Sequence, residues 1–71
     1  MEVLVFKTNV RFKRHVTEVA TRLGQFADIS RWNFDLQDKD RILRIEAAAL
    51  SPKIIENELQ RAGYYCKELA D

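Results

Sequence analysis

Few side chains in this sequence could carry chemistry, and they do not gather. There is one histidine, His15, and one cysteine, Cys66, at opposite ends of the chain. An imidazole can act as a base or a metal ligand near neutral pH, but zinc or divalent copper needs further donors beside it. No nucleophile lies near a base, and no glycine-rich phosphate loop is present. The acids Asp38 and Asp40 fall in the polar run Gln37-Asp38-Lys39-Asp40, where turn formation accounts for them. The sequence therefore predicts no enzyme. What remains is charge. Residues 7–15 hold Lys7, Arg11, Lys13 and Arg14 and no acid. Residues 1–34 carry a net charge of +3 and residues 35–71 one of −2, so the basic excess lies in the half that holds this run. Positive side chains beside the free amides of a helix start would suit an anion or an acidic surface. The alternative is a solvated loop.

The elements around these residues follow from the period of the apolar pattern. Glu2 to Thr8 is β-branched and aromatic and reads as a strand. From Phe12 the period changes: Phe12, Val16, Val19, Ala20 and Leu23 share one helical face. Thr8 or Asn9 is expected to cap this helix, and Gly24 to end it in a left-handed conformation. Ile29 to Leu36 alternates, with Trp32, Phe34 and Leu36 on one side. Arg41 to Ala47 alternates again after the polar turn, which makes a hairpin. Ser51-Pro52 is a helix start, the serine capping and the proline needing no amide. Ile54, Ile55, Leu59 and Ala62 form its apolar stripe, Gly63 ends it, and Tyr64 to Leu69 reads as a last strand.

The order βαββαβ, with right-handed crossovers, predicts an α+β ferredoxin-like fold: a four-stranded antiparallel sheet with both helices on one face. Trp32 and Phe34 lie on the face that the helices cover, so no aromatic platform for RNA bases is expected. Cys66 reads as a small buried hydrophobe of the last strand, and His15 as a solvent-facing residue of the first helical turn.

Length and composition bound the rest. At 71 residues the chain predicts one domain, 1–71, with one modest core. A net charge of +1 gives no bulk attraction to nucleic acid. A single cysteine excludes an intrachain disulfide and fits a reducing compartment, so a cytoplasmic location is expected. No apolar run reaches membrane-spanning length, so no membrane insertion is expected.

Several segments, in order, resemble the heavy-metal-associated domain family of small copper-chaperone-like domains. They are Phe6-Lys7-Thr8-Asn9-Val10-Arg11, Val16-Thr17-Glu18-Val19 with Leu23, Ile29 to Leu36, and Ala62-Gly63-Tyr64. In that family the turn after the first strand carries a Cys-x-x-Cys metal clamp. The matching positions here are Phe12 and His15. Monovalent copper prefers soft thiolates, and Phe12 has no donor, so no bound metal cofactor is expected. Phe12 reads instead as a core or capping residue that closes the metal's space. The resemblance implies an accessory protein of metal handling whose turn, through Lys7, Arg11, Lys13 and Arg14, docks an acidic protein partner. The alternative it leaves open is weak zinc or copper binding through His15, alone or across a homodimer. Tyr64, by the same resemblance, could reach the turn.

Overall fold

The computed structural model describes residues 2–69. Alternating burial makes the first strand: β1 (Glu2–Thr8) sends Leu4, Phe6 and Thr8 inward and Val3, Val5 and Lys7 to the other face. There follow α1 (Lys13–Leu23), β2 (Ile29–Asp35), β3 (Ile42–Ala47), α2 (Pro52–Arg61) and β4 (Cys66–Glu68). The strands form one antiparallel sheet in the order β2-β3-β1-β4, the expected ferredoxin-like arrangement.

The core lies between sheet and helices. Leu4 and Phe6 of β1, with Leu43, Ile45 and Ala47 of β3, meet Val19 and Leu23 of α1 and Ile55 and Leu59 of α2. Trp32 and Phe34 pack against its margin, on the face assigned to them. A bridge ties the helices together: Arg22 Nη1 lies 3.2 Å from Glu58 Oε2, and Gln25 Nε2 donates to the same oxygen at 3.1 Å. No helix among the described residues is long and apolar enough to cross a membrane.

Several local expectations are corrected. Phe12, not Thr8 or Asn9, stands at the N-cap of α1, and no side chain caps that helix. Gly24 does end α1 but stays right-handed at φ −63°, because the chain continues the turn until Phe26 N–H reaches Leu23 C=O. Ser51 holds the N-cap position of α2 without a hydroxyl cap bond. Ile54 is exposed, since the face of α2 that meets the sheet runs through Ile55 and Leu59. The last strand is shorter than expected: Tyr64 and Tyr65 precede it.

Gly63 behaves as expected. At φ 94° it is left-handed, and its N–H donates to Gln60 C=O at 3.0 Å. Tyr64 N–H reaches back to Leu59 C=O at 3.0 Å, which completes a Schellman close.

The two sheet edges differ. On β4, Gln60 Nε2 donates to Cys66 C=O at 3.3 Å, and Glu68 N–H donates to Glu56 Oε2 at 2.7 Å. Both side chains come from α2, so two outer backbone groups of this three-residue strand are already bonded. Along β2, no side chain bonds the outer backbone from Arg31 to Asp35 among the described residues.

Candidate functional site

Residues 9–12 connect β1 to α1, and Thr8, Asn9 and Val10 fix them. Thr8, almost wholly buried, donates its hydroxyl to Arg41 C=O at 2.6 Å and accepts from Val10 N–H at 3.2 Å. Val10 is fully buried. Asn9 Oδ1 accepts from Tyr65 N–H at 2.8 Å, which holds the turn against the approach to β4. The side chains expected to cap α1 are thus spent on the turn itself. A buried polar group such as Thr8 must find such partners, and here they pin the backbone.

What the turn presents is an open helix start. His15 and Val16 N–H both reach Phe12 C=O, at 2.9 and 3.1 Å. The amides of Lys13 and Arg14 have no acceptor among the described residues. The first turn of α1 contains no acid. Arg11, Lys13 and Arg14 are exposed around it. The partial positive charge of a helix N-terminus therefore adds to three cationic side chains that have no ion-pair partner among the described residues. Lys7 points to the open sheet face, where Asp40 lies 3.5 Å from its ammonium group.

Phe12 is 50% exposed, so it does not fill a core position. Its ring meets His15 edge-on at 5.3 Å, and the Arg14 guanidinium sits 4.8 Å above it. The other side of His15 meets the Tyr64 ring at 5.4 Å. His15 is accordingly half-buried rather than solvent-facing, and its Nδ1 is buried without a hydrogen-bond partner among the described residues. Tyr64 does reach this region, its hydroxyl donating to Glu18 Oε1 at 2.6 Å. That bond raises the phenol above its ordinary value of 10.0, with smaller contributions from burial and from the Glu18 charge. This aromatic column joins the end of α2 to the start of α1. Local periodicity gives no sign of it, because strand pairing at the far end of the chain creates it.

The donor set does not fit a two-thiolate copper site. Phe12 offers nothing, His15 keeps only Nε2 open, and no group of three or more His, Cys, Asp or Glu side chains is placed to hold a metal among the described residues. Cys66 lies under the sheet opposite Thr8. Burial first, and then the Glu56 charge, push its thiol up to about 12, so it is not a thiolate near neutral pH.

No protein-family model and no curated protein matches the sequence. Solved structures do match the fold. One is a yeast copper transporter domain solved in apo and Cu(I)-loaded states (TM-score 0.85, 11% identity, 100% of this chain and 99% of that one). Another is the N-terminal domain of PacS from Synechocystis (TM-score 0.82, 11% identity, 99% of this chain and 100% of that one). A third is the N-terminal domain of ZntA in its Zn(II) form (TM-score 0.80, 18% identity, 97% of this chain and 96% of that one). At these identities the likeness is one of fold, and it spans the chain from end to end.

Proposed function

We propose that this chain, which has the fold of heavy-metal-associated domains, is a non-catalytic accessory protein of metal handling that works by docking rather than by carrying a metal in its turn. The observation that carries this reading is the open helix start. Two unbonded amides, no acid in the first turn, and Arg11, Lys13 and Arg14 around them make a rigid, positively charged surface. An acidic side chain on a partner would supply the acceptor that α1 lacks, as a charge-assisted hydrogen bond. Complementary charge would also raise the rate of encounter and fix orientation. Lys7 would contribute less than the other three, since Asp40 already answers part of its charge.

The test is an NMR titration with a glutamate-rich peptide at low and high salt. The expected result is that the Lys13 and Arg14 amides shift most, that binding weakens as salt rises, and that Arg11→Glu with Lys13→Glu abolishes it. Binding indifferent to salt or to that double substitution would overturn the proposal.

The buried, unpartnered Nδ1 of His15 keeps one second reading in view: zinc or copper held weakly through Nε2 with donors from another chain. It requires metal at stoichiometric level in protein purified under reducing conditions, and its loss in His15→Ala.

A further inference from the structure

The exposed edge of β2 is self-complementary. Antiparallel pairing of two copies about a two-fold axis keeps facing residues on the same side of the sheet, so the axis must pass through a residue position. With the axis at Asn33, Arg31 faces Asp35 of the second copy, and Asp35 faces its Arg31. On the helix side, Trp32 faces Phe34 of the second copy, and Phe34 its Trp32. A shift of one residue along the strand sets the axis at Trp32 or Phe34. Either shift leaves Arg31 facing Asn33 or Gln37 and loses both ion pairs.

We propose that two copies of this chain associate through β2 in this register, joining their sheets into one of eight strands. This proposal is independent of the basic turn. Four features of the monomer support it. Gln60 and Glu56 cover the β4 edge, whereas the β2 backbone from Arg31 to Asp35 has no such cover. β2 carries a register shift between Ile29 and Arg31, but from Arg31 to Asp35 the edge contains no proline, no lysine and no inward-pointing charge. Arg31 is held only loosely, 3.7 Å from Glu46 and with 74% of its side chain exposed, so it can turn to a new partner. Asp35 Oδ1 accepts from the Gln37 and Asp38 amides, and Oδ2 has no bond among the described residues and can accept a second.

Main-chain bonds would supply affinity and the paired side chains the register.

Sedimentation across micromolar to millimolar protein is the test. A monomer–dimer equilibrium is expected. Arg31→Glu or Asp35→Arg alone sets like charges opposite each other at two symmetric places and should weaken the dimer by about tenfold. The double variant Arg31→Glu, Asp35→Arg should restore it. Asn33→Cys should yield a disulfide-linked dimer on mild oxidation, because residues on the axis approach within about 4.5–5.5 Å between Cα atoms. Arg31→Cys should not. A monomer at every concentration, or a dimer that ignores both charge reversals, overturns the proposal. So does failure of the double variant to recover.

Discussion

Substitution of Lys13 by glutamate should make the protein more stable and a poorer binder. Lys13 is the first residue of α1, exposed, with its charge against the positive end of the helix. A charge at a helix terminus contributes roughly 0.3–1 kcal/mol, so removing the lysine and installing a carboxylate together should stabilise the fold by about 1 kcal/mol. The carboxylate would sit among Arg11, Arg14 and two unbonded amides, which favours the upper half of that range. For a domain of this size the gain corresponds to a rise of about 4–8 °C in Tm. With an m-value of about 1 kcal/mol/M, the urea midpoint should move up by about 1 M. Trp32 fluorescence and far-ultraviolet circular dichroism would follow the transition, and the gain should shrink in high salt as the charges are screened. Binding to the glutamate-rich peptide should fall in the same variant. A loss of stability, or no change with m held constant, would refute the open helix start, since it would mean that those amides already have a partner. A gain in stability without loss of binding would refute the docking role alone.

Other outcomes follow from the same structure. Phe12→Cys with His15→Cys should create a one-to-one Cu(I) site in reduced protein, read by competition with a chromophoric chelator; a folded variant that takes up no copper would break the correspondence between this turn and a metal clamp. Gly63→Ala should cost roughly 1–2 kcal/mol through backbone conformation alone, because its Cβ would meet nothing within 4 Å. Gly24→Ala, at φ −63° and with its nearest atom at 3.4 Å, should be neutral or slightly stabilising in the same denaturation assay. Cys66 should resist alkylation in the native state and react once urea unfolds the chain. Its thiol titrates from an ordinary 9.0 when unfolded but only at about 12 when folded. The unfolded state therefore loses its proton first, and the stability that Cys66 confers should fall as pH rises from about 9 toward 12. Cys66→Ala should flatten that decline.

The fold was legible because the apolar period changes cleanly between elements. Alternation in β1 and β3, and the spacing of Val19 with Leu23 and of Ile55 with Leu59, each assign a buried face before any tertiary contact is known. Boundaries were less legible where one residue can serve two purposes. Tyr64 has the composition of a strand residue, yet its amide closes α2 and its ring lies on His15. Glycine marks the end of each helix, but only Gly63 uses the left-handed freedom that glycine permits. Of the candidate site, the basic residues and their place before α1 could be read directly. The pinning of the turn by Thr8 and Asn9 could not, since it depends on Arg41 and Tyr65, which β-strand pairing brings in from distant parts of the chain. The half-buried state of His15 was missed for the same reason: Tyr64 covers it from the far end of the sequence.

The covering of β4 by Gln60 and Glu56 has a bearing on assembly size. A sheet with two usable edges can add copies without limit, alternating one edge with the other into a ribbon. Here α2 withdraws one edge from that process within each chain. Pairing through β2 would then consume the more open edge of both partners, leaving at the two outer margins edges whose backbone Gln60 and Glu56 already engage. If the proposed pairing holds, the chain would be a terminator as well as a building block, since the pair would offer no open β2 edge to a third copy.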